Sequence, residues 1–229
     1  MEALLGAAFW VGLVKIIWIN IILSGDNAVV IALAARGLPA QQQRKAIVFG
    51  SGAAVVLRVG LTLVAARLMQ LPWVEVMGGL LLLWIGVGLL KGEAAPASAT
   101  NLTQQGMLAA IRTILLADLV MSLDNVIAVA AAAGGDMLLL ILGLAISIPL
   151  VVFGSTLMIS LMERWPLIVT LGAALIGWVA GETITSDHVL RPLVGEAPWL
   201  PSLASILGAM LVVLTGKYLQ SRQTATAAP

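Results

Sequence analysis

Seven long apolar runs dominate the chain, each closed by a short polar or Gly/Pro-bearing break. They cover about residues 9–34, 46–69, 74–90, 107–132, 137–161, 167–180 and 203–219. An α-helix needs about 20 consecutive apolar residues to cross a bilayer. The runs are long and continuous, without the short alternation of barrel strands. The pattern therefore predicts an all-α polytopic membrane protein with about seven transmembrane helices. Arg36-Gly37-Leu38-Pro39 stops the first helix, and the polar stretch 41–45 follows as a wet loop. Gly134-Gly135-Asp136 predicts a tight turn, 181–202 an outer loop with Glu182, Asp187 and His188, and 220–229 a disordered polar tail. The first run lacks a basic leader and is expected to stay as a retained helix.

One polar segment interrupts the first run, Ser24-Gly25-Asp26-Asn27, and it comes twice. Ninety-eight positions later Ser24, Asp26 and Asn27 recur as Ser122, Asp124 and Asn125, and Asn20 recurs as Asp118. At an offset of 94, Gly60, Pro72, Gly78 and Trp84 fall on Gly154, Pro166, Gly172 and Trp178. Residues 1–229 then read as a single membrane domain. Two three-helix repeats, 9–90 and 107–180, flank a flexible linker at 91–106, and a seventh helix at 203–219 is extra. With three helices per half, the second half enters from the opposite side, which makes the repeat inverted.

Composition sharpens the picture. Hydrophobic residues make up 61% of the chain, charged residues 10%, and mean hydropathy is +1.08, whereas a soluble domain carries about 25% charged residues. A net charge of +1 supplies no basic field for nucleic acid. With the N-terminus outside, Arg36, Arg44, Lys45, Lys91, Arg112, Arg164, Lys217 and Arg222 face the cytoplasm, against Arg67 and Arg191 outside. That bias predicts an outer N-terminus and a cytoplasmic C-terminus.

An ionised Asp at mid-bilayer costs about 2.5–3.5 kcal/mol, so its default role is functional and protein-facing. On a regular helix Asn20, Ser24 and Asn27 share a face, as do Asp118, Ser122 and Asn125, while Asp26 and Asp124 point about 100° away from the neighbouring Asn. Both groups converge on one ion only where the helix is broken or partly unwound, which Gly25 favours and Leu123 does not, or where it presents two polar sides inside the bundle. Without cysteine, any metal site must use oxygen or the single His188, and the motif's carboxylates and carbonyl oxygens form a hard oxygen site suited to Mg²⁺, Mn²⁺ or Ca²⁺. Asp118 and Asp124 lie about 9 Å apart along a helix. Asp26 and Asp124 are therefore the expected direct ligands. Asp118 is expected to take a proton or act through water, and Ser24 and Ser122 support it. Arg58 reads as a countercharge or as a structural ion pair. Lys15 either pairs with a carboxylate of another helix or snorkels to the interface. Glu75 and Glu182 stand at the mouths of a pathway or at headgroup level.

Asn20-x-x-x-Ser24-Gly25-Asp26-Asn27-Ala28, followed by Arg36-Gly37-Leu38-Pro39 and Asp118-x-x-x-Ser122-Leu123-Asp124-Asn125, resembles the TerC family of integral membrane proteins. The likeness spans about residues 10–220. It implies membership of a wider group of inverted-repeat lysine and cation exporters in the bacterial inner membrane. It also implies metal ligation by Asp26 and Asp124 with Asn20, Asn27, Asp118 and Asn125 around them, and Mn²⁺ as substrate with no prosthetic group. Proton antiport is the expected coupling, since nothing resembles a P-loop and acids that release a cation take up protons. The alternatives are export of another small solute such as a cationic amino acid, or a non-transporting membrane partner in stress resistance. Assembly into a homo-oligomer is left open.

Overall fold

A backbone in hydrocarbon must close its own hydrogen bonds, and this chain does so with helices. The computed structural model describes residues 7–23, 25–68, 71–91, 102–134 and 136–226. In chain order the helices are α1 (Ala7–Leu23), α2 (Gly25–Ala35), α3 (Ala40–Leu68), α4 (Val74–Lys91), α5 (Leu102–Ala133), α6 (Met137–Arg164), α7 (Pro166–Ser186), the short α8 (Arg191–Glu196) and α9 (Leu200–Thr226). Six are long and apolar enough to cross a membrane, and α1 with α2 makes a seventh if that bent pair is one span. Their outward faces carry Trp10, Trp18, Phe49, Trp84, Phe153 and Trp178. So much exposed apolar surface suits lipid rather than water.

Two groups of helices lie side by side. α4, α7 and α9 pack along one another; α3 packs along α5, and α6 is wedged against α1, α2 and α3. The main buried cluster, with Leu33, Ile47, Leu82, Ile114 and Ile176 at its centre, joins the groups. The α5–α6 turn rests on Gly134, whose φ of +56° favours glycine. Asp136 then caps α6 by accepting from the N–H groups of Leu138 and Leu139. Gly135, like the linker at 92–101, lies outside the described residues.

Several polar segments expected to be loops are helical. The tail predicted from 220 continues α9 to Thr226, with the Arg222 guanidinium 5.7 Å from the Tyr218 ring centre. Leaving the bilayer ends the apolar pattern but not the helix, because Gln, Ser and Arg are tolerated in water-exposed turns. α7 likewise runs past 180 to Ser186, and α8 occupies part of the expected outer loop.

α4 is capped at both ends by side chains from remote segments. The Arg36 guanidinium donates to the Leu89 carbonyl, 2.9 Å away, near its C-terminus. At its N-terminus the buried Asp187 carboxylate accepts from the backbone N–H groups of Trp73, Glu75 and Val76 at 3.1–3.3 Å, and from Val189 on its own segment at 3.0 Å. The arrangement complements the helix dipole. Burial pushes the Asp187 carboxyl up, but those four N–H donors outweigh it and hold it below its ordinary value. A carboxyl depressed in the folded state stabilises the fold fully above the ordinary Asp value of about 3.9, and that contribution is lost as pH falls through the depressed value. Asp187→Ala is therefore expected to cost about 1–2 kcal/mol near neutral pH and to flatten the stability profile below about pH 4. Thermal unfolding in detergent across that range reads both effects, and a variant as stable as wild type at neutral pH rules the cap out.

Candidate functional site

The first polar motif falls at a bend between two helical segments. α1 ends at Leu23 and α2 begins at Gly25, and the segments Phe9–Asn20 and Gly25–Ala35 meet at 51°. The second motif does not break, because α5 is continuous from Leu102 to Ala133. Glycine against leucine at the matching position accounts for the contrast. On an unbroken helix Asp118 and Asp124 stay about 9 Å apart along the axis. Ser24 and the Asp124 side chain lie outside the described residues.

Arg58, deep in α3, is the hub. It is 4% exposed, and each edge of its guanidinium meets a different oxygen. Nε donates to Ser122 Oγ at 3.0 Å, Nη1 to Asn20 Oδ1 at 2.7 Å and Nη2 to Asp118 Oδ1 at 2.5 Å. Ser122 Oγ in turn donates to Asp118 Oδ2 at 3.1 Å, which closes a ring of charge-assisted bonds. Asn20 Nδ2 donates to Ser147 Oγ, and Ser147 Oγ donates to the Leu144 carbonyl at 2.6 Å. Five buried polar side chains from α1, α3, α5 and α6 thus form one network with opposite charges paired. Removing either charge would strand the other.

A cavity of about 20 Å³ opens beside this network, lined on its polar side by Asn20, Asn27, Ser51, Arg58, Asp118 and Ser147. That is room for about one water-sized species. Among the described residues, both side-chain atoms of the Asn27 amide and the Ser51 hydroxyl are buried there without a hydrogen-bond partner. Buried polar groups are ordinarily paired, and leaving one unpaired costs about 1–3 kcal/mol. The chemistry this cavity can hold is a small species that both donates and accepts, or a cation that takes oxygen lone pairs.

The structure gathers Asn20, Asn27, Asp118 and Arg58 around that space, with Ser122 bonded to Arg58 and Asp118 behind them, so the shared face of Asn20 and Asn27 survives the bend. Asp26 stands in the first turn of α2, half-buried, and its Oδ1 accepts from the Asn27 N–H at 2.8 Å. It lies within electrostatic reach of Arg58 and Asp118. Asn125 is half-buried on α5. Other candidates lie elsewhere. Lys15 is exposed on α1. Glu182 is exposed, and it lies inside α7 rather than after it. Glu75 is buried in the first turn of α4, at the Asp187 cap. Among the described residues no three of His, Asp or Glu cluster as a metal site. Ser51, Ser147 and Asp187 matter here although the sequence did not single them out. For Ser147 one signal existed, its place two residues before Pro149, a proline inside α6.

The chain can be compared with known proteins on this basis. The family described as Integral membrane protein TerC family matches residues 5–224. The uncharacterized membrane protein YjbE of Bacillus subtilis (strain 168) is 40% identical over 215 residues, 93% of this chain and 96% of that protein. The membrane protein YkoY of the same organism is 29% identical over 188 residues, covering 74% of this chain and 58% of YkoY. No solved structure matches. A family match that runs through both motif helices and the last span, with a relative aligned almost end to end, places this multi-pass membrane protein in the TerC family.

Proposed function

We propose that the chain is a secondary transporter that exports a hard divalent cation, Mn²⁺ first, from the cytoplasm across the bacterial inner membrane in exchange for protons. The observation that carries this reading is the buried oxygen cluster drawn from both motifs, with a cavity at its side and a single guanidinium balancing its charge. Intramembrane ionisable residues in such a setting mark ion pathways. Asp26 and Asp124 are the proposed carboxylate ligands, with carbonyl oxygens from Asn20, Asn27 and Asn125, and Asp118 shifts between partners as the cation passes.

Helix pairing supports two inverted repeats. The motif helix of the first half (α1 and α2) packs on α6, that of the second half (α5) packs on α3, and the two third helices, α4 and α7, pack on each other. Gly78 of α4 abuts Val120 of α5, and Gly172 of α7 abuts Val29 and Leu33 of α2. An outer N-terminus follows from the Lys/Arg bias.

Inside-out vesicles carrying the protein are expected to accumulate Mn²⁺ when the interior is acid, and Asp26→Ala or Asp124→Ala to abolish this while the protein still reaches the membrane. Accumulation no faster than in control vesicles removes the proposal. Accumulation of lysine in its place moves the substrate to a cationic amino acid.

A further inference from the structure

We propose that the Arg58 guanidinium is a tethered stand-in for the transported cation, and that the two take turns on Asp118, Asn20 and Ser122. This rests on the cation reading above. It deepens that reading by assigning Arg58 a part in the transport cycle.

Three observations carry it. First, Arg58 spends its three edges on three oxygens, one from the first motif and two from the second. These face inward from two helices, and hard cations are coordinated by carboxylate, carbonyl and hydroxyl oxygens of this kind. A divalent ion on the same oxygens would sit within a few ångströms of the guanidinium. Joint occupancy would crowd three positive charges onto Asp118 with Asp26 beside it, so occupancy by one species disfavours the other. Second, the guanidinium is already ion-paired with Asp118. It can therefore keep Asp118 neutralised during a return step made without substrate, when a bare buried carboxylate would be costly.

Third, the guanidinium has other polar groups within its own cavity to turn toward. Ser51 lies seven residues before Arg58 on α3, two turns away on the same face, and side chains lean toward a helix N-terminus. The Ser51 hydroxyl and the Asn27 amide line the same cavity as Arg58 with hydrogen-bonding capacity unspent. When a cation takes Asp118, the guanidinium turns toward Ser51 Oγ and Asn27 Oδ1. Arg58 is a positioning residue in this scheme.

The test is Mn²⁺ binding to the full-length protein in lipid nanodiscs, followed by calorimetry, alongside vesicle transport. Arg58→Gln removes the competing charge and is expected to bind Mn²⁺ about tenfold more tightly while transporting it more slowly, because nothing resets the site. Arg58→Lys keeps a charge in place and is expected to stay within about threefold of the wild-type affinity. A purely structural Arg58 gives the opposite sign: weaker binding in a loosened protein. If Arg58→Gln does not fold, Arg58→Ala purified with methylguanidinium replaces it. Its apparent Kd for Mn²⁺ is then expected to rise in proportion to methylguanidinium, while the wild type does not respond. Equal or weaker Mn²⁺ binding by a folded Arg58→Gln overturns the stand-in role and leaves the cation reading intact, as does a Kd that ignores methylguanidinium. No Mn²⁺ binding by the wild type overturns both.

Discussion

Asp118→Ala and Arg58→Ala are each expected to destabilise the protein by about 3–5 kcal/mol, the range for breaking one side of a buried ion pair. Both side chains are more than nine-tenths buried, at 7% and 5% exposure, so the survivor is left charged in a low-dielectric setting. The pair is not thereby a large net gain. Bringing two charges out of water costs nearly what their attraction returns, and the penalty appears only when one is removed. Arg58→Gln with Asp118→Asn should therefore recover at least half of the loss. Hydrogen-bonding neighbours set the contrast. Interhelical bonds in membrane proteins average about 0.6 kcal/mol by double-mutant cycles, so Ser122→Ala or Ser147→Ala should cost less than about 1 kcal/mol. Unfolding by SDS in mixed micelles measures all of these. An Asp118→Ala variant as stable as Ser122→Ala would show that water or lipid headgroups already solvate the pair.

The same residues show how far the sequence can be read. Apolar runs locate the helices because the bilayer imposes a length and a polarity that composition reveals directly. The doubled motif points to the candidate site, and an arginine inside a span demands an acid across the bundle. That acid is Asp118, at a position where the halves differ: Asn20 in the first, Asp118 in the second. A single guanidinium meets one carboxylate and one amide, so the asymmetry between the motifs matches the asymmetry of their partner. Ser147 is less legible. Its bond partner Asn20 is 127 residues away, and a serine near a proline reads equally well as local helix repair. Asp187 reads as a loop residue beside His188, since capping α4 depends on a contact spanning 112 residues. Ser51, between Gly50 and Gly52, has the look of helix packing. In each case local pattern defines the element, and only the tertiary contact defines the role.

Glycines separate the same way, and they carry the second large effect. Gly181→Leu is expected to lower stability by more than the about 1–3 kcal/mol of ordinary overpacking. Gly177 and Gly181 of α7 face Gly208, Ala204 and Ser205 of α9 so closely that a Cβ on either glycine would fall within 3.0 Å of backbone atoms. A flexible side chain can move aside, whereas a helix backbone moves only if the helices part. The four-residue spacing is the small-residue seam by which membrane helices approach without a hydrophobic drive. Gly60 is the control. The repeat matches it to Gly154 and it reads as a packing glycine, yet nothing lies within 4 Å of the position a Cβ would take there. In the interior of α3, Gly60→Ala should be neutral or stabilising by up to about 1 kcal/mol, from helix propensity alone. Among the described residues α9 contributes none to the Arg58 network, so parting α7 from α9 should leave the coupling between Arg58 and Asp118 unchanged. Thermal unfolding in detergent, with protease access to the α8–α9 connection, distinguishes the outcomes. If Gly181→Leu and Gly60→Ala melt together at the wild-type temperature, the seam does not hold α9 in place.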